Sequence, residues 1–185
     1  APVAQDDSFT AIEDTVLNGN LLVDNGAGTD GDPDGDAITV VESSLTSGAG
    51  GVVAISPNGD FAYTPPVNAT GTESFVYTLS DGNGGLSTAN LVINITPVND
   101  APTIINADVD QQTAVDASLN LVDMVVADVD GDNLSVALTL SDPASGSMNQ
   151  LTFGAVVPNY NSGTGVWSAS GSIADLNGAL AQLIF

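Results

Sequence analysis

Apolar and polar residues alternate with a period of two along several stretches of the chain. The clearest runs have their apolar positions at Phe75, Tyr77 and Leu79, at Leu91, Ile93 and Ile95, and at Leu134, Val136, Leu138 and Leu140. This period places one face of an extended segment inward, so each run predicts a half-buried β-strand. Clusters of Gly, Asn, Asp and Ser separate the runs and predict turns. Short strands with turns about every 8–12 residues are typical of a β-sandwich.

One segment has a helical pattern instead. Residues 172–183 carry Ile173, Leu176 and Leu180 at spacings that share one helix face. Ser172 precedes them in the position of an N-cap. The sequence therefore predicts one short helix in an otherwise all-β chain.

Two landmarks recur along the chain. Ala1-Pro2-Val3 is echoed by Ala101-Pro102-Thr103, and "DPDGDAITV" at residues 32–40 is echoed by "DVDGDNLSV" at residues 128–136. Similar offsets of about 100 residues indicate two tandem repeats. The boundary is placed in "TPVNDAP", where two prolines flank a polar hinge. The prediction is two β-sandwich domains in series, residues 1–98 and 99–185.

The charge of the chain restricts the partners that it can bind. The 185 residues include 23 Asp and Glu but no Lys, Arg or His, a formal charge of −23. Nucleic acid is excluded as a partner because phosphate binding needs basic side chains, and an anionic membrane surface is disfavoured for the same reason. No apolar run approaches 18 residues, so direct membrane insertion is not expected. The N-terminal "APVAQDD" has no signal-peptide pattern, and an export signal is expected outside this chain.

Four aspartates, at positions 30, 32, 34 and 36, alternate in one glycine-containing turn. Two carboxylates about 4 Å apart repel by about 4 kcal/mol at an effective dielectric constant near 20, so such a turn needs water, protons or metal ions. Calcium takes six to eight oxygen ligands, which these carboxylates can supply. The turn begins like an EF-hand loop, but Val41 stands where that loop requires a bidentate Glu, and a strand follows. The calcium β-helix nonapeptide is not matched either.

The alternative is that these residues form only solvated Asx turns. The turn recurs in both repeats, and seven of the 23 acidic residues lie in it, which favours Ca²⁺. The candidate ligands in the first domain are Asp30, Asp32, Asp34 and Asp36, with Asp6 and Asp7 as neighbours. The candidates at the junction between the domains are Glu13, Asp81, Asn99, Asp100, Asp128, Asp130 and Asp132. Asp108 and Asp110 are weaker candidates, for which an exposed turn is an equal interpretation.

Several segments together resemble a known family. The first repeat carries "APVAQDDSFTAIEDTVL", "DPDGDAITV", "GDFAYTP", "SFVYTLSDGNGG" and "VINITPVNDAP", and the second carries "ADVDGDNLSVALTLS" and "GVWSASGSIADLNGALAQLIF". These resemble the tandem cadherin-like or immunoglobulin-like repeats of large RTX-type bacterial surface adhesins. The resemblance implies two Greek-key β-sandwiches stiffened by calcium, outside the cell.

The chain also departs from that family. No Asn-Asp pair stands before Ala1, so the outer tip of the first domain lacks these linker ligands. A family member would continue past Phe185 with an F/Y-x-Y-T-P segment and a closing strand. The second domain is therefore expected to be truncated or completed by another segment, with an exposed apolar edge at Leu183-Ile184-Phe185.

The predicted function is structural: extender repeats of a secreted or cell-surface adhesin, in cell adhesion and biofilm formation. Its partners would be neighbouring repeats of the same protein, with a surface glycan or peptide as a further ligand. The alternative is a calcium-dependent ligand-binding module at an adhesin tip or on a secreted enzyme, with Tyr160, predicted to be exposed, or Trp167 stacking on a sugar. Trp167 is instead predicted to pack inside a sandwich. Catalysis is not expected, because His, Cys and Lys are absent and no carboxylate pair suits a glycosidase.

Overall fold

The computed structural model describes residues 1–25, 28–107, 109–114 and 116–185. These residues form two compact units, Ala1–Val98 (unit 1) and Asn99–Phe185 (unit 2). In both units the regular secondary structure is mainly β-strand, and the described part of the chain has a single short α-helix. The all-β prediction is confirmed.

Unit 1 is a β-sandwich of two four-stranded sheets. One sheet has the strand order β1-β8-β7-β3 and the other the order β2-β6-β5-β4. β1 runs parallel to β8, and every other pair is antiparallel. The chain changes sheet after β1, β2, β3 and β6, as in immunoglobulin-like Greek keys. The bounds are β1 Asp7–Ile12, β2 Leu17–Asn20, β3 Thr39–Val40, β4 Ser43–Thr46, β5 Val52–Ile55, β6 Asp60–Thr64, β7 Gly71–Ser80 and β8 Leu86–Thr96.

The core of unit 1 follows the period-two pattern. In β7 and β8 the alternate apolar residues named in the sequence are all buried, and their neighbours face outward or are half-buried. Val53, Phe61 and Tyr63 meet them from the opposite sheet. Burial of one such side chain contributes about 1.5–3 kcal/mol. The predicted turn at residues 56–60 joins β5 to β6, where the Gly59 N–H donates to the Ser56 carbonyl at 2.9 Å.

The described residues of unit 2 form five short strands and the helix. β9 pairs with β10, and β11, β13 and β12 form a three-stranded antiparallel sheet in that order. Trp167 is only 1% exposed and its indole N–H donates to the Asn149 carbonyl at 3.0 Å, which confirms its predicted packing. The bounds are β9 Thr103–Ile105, β10 Val125–Ala127, β11 Leu134–Thr139, β12 Asn159–Asn161, β13 Val166–Gly171 and α1 Ile173–Leu180.

The helix begins as predicted and ends earlier. The Ser172 side chain accepts a hydrogen bond from the Asp175 N–H at 3.2 Å, so Ser172 is the N-cap. The helix ends at Leu180, three residues before the predicted end, because the Leu183 N–H closes a turn onto the Leu180 carbonyl. Its buried residues are Leu176, Ala179 and Leu180.

The predicted exposed edge at residues 183–185 is wrong. Leu183 is 2% exposed, and Phe185 packs half-buried against the unit 2 core. Phe185 exchanges two backbone hydrogen bonds with Leu119, at 2.8 and 2.9 Å, and Leu121 donates to the Leu183 carbonyl at 3.1 Å. The segment around residue 120 runs antiparallel to this end and covers it. The prediction that Tyr160 is exposed is also wrong: it is half-buried, and its hydroxyl donates to the Gly146 carbonyl at 3.0 Å.

Candidate metal centre

The pairing of β3 with β7 brings two acidic turns of unit 1 together. Thr39 lies opposite Ser80 in the antiparallel register. Asp36 stands shortly before Thr39 and Asp81 directly follows Ser80, so both reach the same end of the sheet. The sequence grouped Asp81 with the junction between the domains. That grouping is wrong, because the strand register places Asp81 beside Asp36.

Asp32, Asp36 and Asp81 form a group of carboxylates, called the Asp32 cluster below. One carboxylate oxygen from each residue lies within 4.8 Å of the other two. Charges about 4 Å apart repel by about 4 kcal/mol at an effective dielectric constant near 20. Three such groups are therefore unfavourable together unless a cation lies among them.

Backbone groups of the β7–β8 turn hold Asp81 in its ionised form. Its Oδ1 accepts hydrogen bonds from the Asn83 and Gly85 N–H groups, both at 2.8 Å. The Asn83 N–H is the main reason that the pKa of Asp81 lies below its ordinary value, and burial opposes this shift. A Cβ on Gly85 would lie 2.1 Å from Asp81 Oδ2, so this position requires glycine. The Asn83 side chain also donates to Asp36 at 3.0 Å.

A positive charge already lies at the Asp32 cluster. The Ala1 ammonium is 3.4 Å from both Asp32 Oδ2 and Asp34 Oδ2, and 3.8 Å from Asp81 Oδ2. Desolvation lowers the pKa of this amino group, but the charges and hydrogen bonds of Asp32 and Asp34 outweigh it, and the net shift is upward.

The local turn leaves one oxygen free for such a cation. Asp32 Oδ1 accepts the Asp34 N–H at 2.7 Å, which closes an Asx turn. Asp32 Oδ2 is buried and accepts no hydrogen bond from the turn, and its charged neighbour is the Ala1 amino group at 3.4 Å. Hard carboxylate oxygens that converge without enough donors are suited to Ca²⁺. When bound, such an ion would supply the charge that holds the turn and the loop together.

Asp30 belongs to a different part of unit 1. Its Oδ1 accepts the Gln5 N–H at 2.7 Å, and its Oδ2 lies 3.5 Å from the Tyr77 hydroxyl. Burial raises the pKa of Asp30 above its ordinary value. It therefore faces the interior rather than the Asp32 cluster, although the four alternating aspartates predicted a single site. Its neighbour there is Asp7, and we call Asp7, Asp30 and Tyr77 the Asp7 site.

Asp7 lies at the start of β1 and is 5% exposed. Its Oδ1 accepts a hydrogen bond from the Asn25 side chain, and its Oδ2 accepts none among the described residues. Burial raises the pKa of Asp7 to about 6, and the nearby charges of Asp30 and Asp6 add to the rise. The polar groups of Tyr77 and Asn25 oppose this rise in the pKa without reversing it.

Asp6 is not brought into the Asp32 cluster. Its Oδ1 accepts hydrogen bonds from the Asn90 N–H at 2.7 Å and from the Asn90 side chain at 3.1 Å. Successive residues of an extended strand point to opposite faces, which separates the exposed Asp6 from the buried Asp7. Asp6 therefore caps a strand edge.

The second acidic turn has the same local structure as the first. Asp128 Oδ1 accepts N–H groups from Asp130 at 3.0 Å and from Asp132 at 3.5 Å. Gly131 has a φ of +74°, as Gly35 has a φ of +81° in the first turn. Asp130 Oδ2 in turn accepts the Asp100 N–H at 2.7 Å. These hydrogen bonds link four of the predicted ligands, Asp100, Asp128, Asp130 and Asp132.

The remaining predicted ligands lie within their own units. The Asn99 side chain donates to the Asp100 carbonyl at 2.8 Å in unit 2. In unit 1, a Glu13 carboxylate oxygen accepts the Val98 N–H at 2.5 Å. A site shared by the two domains stays a prediction. Asp110 is exposed, and Asp108 lies outside the described residues.

Three contributors to these sites have no metal-ligand pattern in the sequence. Asn83 and Gly85 belong to a segment that was interpreted only as a turn, and Tyr77 was interpreted only as a core residue. The signal for Tyr77 was its hydroxyl, since a buried tyrosine hydroxyl needs a partner. It donates to the Gln5 carbonyl at 2.7 Å.

Comparison with known families decides what kind of domain carries these sites. The sequence profile of the bacterial cadherin-like domain matches residues 1–97. The chain belongs to the bacterial cadherin-like domain family. No curated protein sequence matches this cadherin-like chain. No helix among the described residues of the cadherin-like chain is long and apolar enough to cross a membrane.

Among solved structures, the cadherin-like chain is similar to the endo-fucoidan hydrolase MfFcnA4 from glycoside hydrolase family 107, at 14% identity and a TM-score of 0.39. A variant of the same enzyme matches at 15% identity and the same TM-score. Both matches cover 92% of this chain and 24% of the enzyme. The chain thus spans about a quarter of the length of these structures.

Proposed function

We propose that the chain is a pair of calcium-binding extender repeats from a large secreted or cell-surface bacterial adhesin. Its role is structural: it spaces and stiffens the protein between a cell and a surface, in cell adhesion and biofilm formation. The repeats carry out no catalysis, and their partners are neighbouring repeats of the same protein. RTX-type adhesins are the class that the sequence resembles.

The observation that carries this proposal is the Asp32 cluster. Three carboxylates lie within 4.8 Å of one another, and Asp32 offers a buried oxygen without a hydrogen bond. No Lys, Arg or His side chain of the chain can supply the counter-charge. Calcium in the surrounding medium supplies it at the dissociation constants of about 10⁻⁴ to 10⁻³ M that are typical of extracellular modules.

The proposed mechanism is mechanical. Without calcium, the carboxylates of the Asp32 cluster repel, and the 30–36 loop separates from the β7–β8 turn. With calcium, Asp32, Asp36 and Asp81 are held together, and unit 1 becomes more stable. One site at about 100 times its dissociation constant adds about 2.7 kcal/mol. We propose that the equivalent turn of unit 2, with Asp100 and Glu13, restricts the movement of the units in the same way.

The test is thermal melting and small-angle scattering of the whole chain, with calcium and with a chelator. Calcium is expected to raise the Tm of the chain. It is also expected to narrow the distribution of interatomic distances obtained from small-angle scattering, because the units move less. Asp81→Asn should remove much of the Tm rise. Glu42→Gln is the matched control, because Glu42 is exposed and outside both sites. An unchanged Tm and unchanged scattering would exclude the proposal.

A ligand-binding module is the second candidate, and the structure offers it less support. Trp167 is 1% exposed and the Tyr160 hydroxyl is bonded to the Gly146 carbonyl, so neither ring is presented for stacking on a sugar. A glycan and peptide array with calcium present distinguishes the two functions. Extender repeats bind nothing specifically on such an array, whereas a tip module binds a defined ligand.

A further inference from the structure

The Asp7 site contains two carboxylates and no positive charge. Asp7 is 5% exposed and belongs to β1, while Asp30 reaches the same place from the loop before β3. Both face the hydroxyl of Tyr77, which β7 holds in the core. This site is separate from the Asp32 cluster, whose ligands are on the 32–36 turn and the β7–β8 turn.

The hydrogen bonds at the Asp7 site leave carboxylate oxygens unsatisfied. The Tyr77 hydroxyl donates to the Gln5 carbonyl at 2.7 Å, and it has a single proton for all its oxygen neighbours. Asp30 Oδ2 is 3.5 Å from that hydroxyl, which is long for a hydrogen bond. Asp7 Oδ2 is buried and accepts none among the described residues. A buried charged oxygen without a partner is strongly unfavourable, so this carboxylate needs a proton or a cation.

We infer that the Asp7 site binds one divalent cation of the calcium class, in addition to any ion at the Asp32 cluster. Two carboxylates balance the charge of one such ion. The Asn25 amide contacts Asp7, and a half-turn about its last bond would present a carbonyl oxygen to the same ion. Water would complete the six to eight oxygen ligands that calcium takes. The ion would tie β1, the 30–36 loop and β7 together inside unit 1.

The test counts ions bound to the whole chain. Wild type, Asp7→Asn, Asp81→Asn and the double variant are dialysed against millimolar calcium, and bound calcium is measured by mass spectrometry. Asp7→Asn is expected to bind one ion fewer than wild type, and the double variant two fewer. Glu42→Gln is expected to bind as many ions as wild type. An unchanged count in Asp7→Asn overturns the inference, because Asp7 is then only a buried carboxyl group.

The two metal sites can fail separately in this design. If Asp7→Asn loses an ion and Asp81→Asn does not, the Asp32 cluster proposal fails and the Asp7 site stands. The opposite result leaves the Asp32 cluster and removes the Asp7 site. Circular dichroism shows whether Asp7→Asn is folded. Asp30→Asn serves if Asp7→Asn does not fold, because its amide oxygen can still accept the Gln5 N–H.

Terbium gives a second readout that depends on position. Tb³⁺ replaces calcium at oxygen sites and emits when a nearby tyrosine absorbs. Tyr77 touches the Asp7 site, so Tyr77→Phe is expected to lower sensitised emission severalfold while the chain still binds the same number of ions. Tyr160→Phe is the control, because Tyr160 lies in unit 2. Equal emission from wild type and Tyr77→Phe would contradict the placement of the ion.

Discussion

The two acidic turns, residues 32–36 in unit 1 and 128–132 in unit 2, share a sequence pattern but not a set of partners. Both close an Asx turn and place a glycine in the left-handed region. In unit 1 the β7–β8 turn adds the carboxylate of Asp81. In unit 2 the described contact to Asp130 is the backbone N–H of Asp100. The local motif makes the turn, and the strand pairing around it decides which further groups reach the turn.

The largest expected change in stability comes from a substitution that tests whether the two units unfold and respond to calcium separately. Trp167→Ala removes the largest fully buried side chain of unit 2 and should destabilise that unit by about 3–5 kcal/mol. Unit 1 has its own core, so its calcium-dependent stabilisation should persist. Calorimetry with and without calcium measures both. Loss of the calcium response in Trp167→Ala would show that the units do not act independently.

The second prediction concerns Asp81, the carboxylate that the β7–β8 turn brings to the first acidic turn. Asp81→Asn should reduce the calcium-induced stabilisation of the chain by about 2–3 kcal/mol at saturating calcium, which is the contribution of one site. In chelator the same variant should be slightly less stable than wild type, because the lowered pKa of Asp81 means that the folded chain favours its charged form. Denaturant unfolding under both conditions measures this. An equal loss in Glu42→Gln would assign the effect to net charge.

The third prediction concerns pH in the absence of calcium. The pKa of the Asp7 carboxyl group is about 6 in the folded chain, whereas the ordinary value for an aspartate is 3.8. The folded chain therefore binds the carboxyl proton of Asp7 more tightly than the unfolded chain does. The contribution of Asp7 to stability is therefore present below about pH 4 and is lost as pH rises to about 6, on the order of 2 kcal/mol. Unfolding of wild type and Asp7→Asn in chelator, across this range, isolates the contribution. If wild type instead became more stable relative to Asp7→Asn as the pH rises, the pKa of Asp7 would be lowered in the folded chain.

The smallest expected change in stability tests whether the two acidic turns have the same backbone structure. Gly35→Ala and Gly131→Ala each force a side chain into the left-handed region and should cost about 1 kcal/mol in the unit concerned. No atom of another residue would lie within 4 Å of the added Cβ at either position, so strain is the whole cost. Calorimetry in chelator compares them. A large difference between the two would contradict the shared turn structure.

Sequence patterns predicted the strands well where one face is buried along a long run. The alternation in β7 and β8 was sufficient because these strands extend over 10 and 11 residues and pack against the opposite sheet. The C-terminal segment was predicted incorrectly, because its cover comes from residues 119–121, which have no strong pattern of their own. Burial by a distant irregular segment leaves no local signal.

The candidate metal residues were predictable as residue types but not as groups. Alternating aspartates indicated one site, yet Asp30 turns inward to Gln5 and Tyr77 while Asp32 turns toward Asp81. Neighbouring positions in a tight turn point in different directions, and the register of β3 against β7 decides which of them meet. That register depends on long-range pairing, which the spacing of aspartates does not contain.

The most direct test of the account is an anomalous difference map from crystals of the whole chain grown in millimolar calcium. The account predicts a peak among the carboxylates of Asp32, Asp36 and Asp81, at a distance of about 2.3–2.6 Å from their oxygens. Water alone among these three side chains would contradict the claim that a divalent cation supplies the charge this polypeptide lacks.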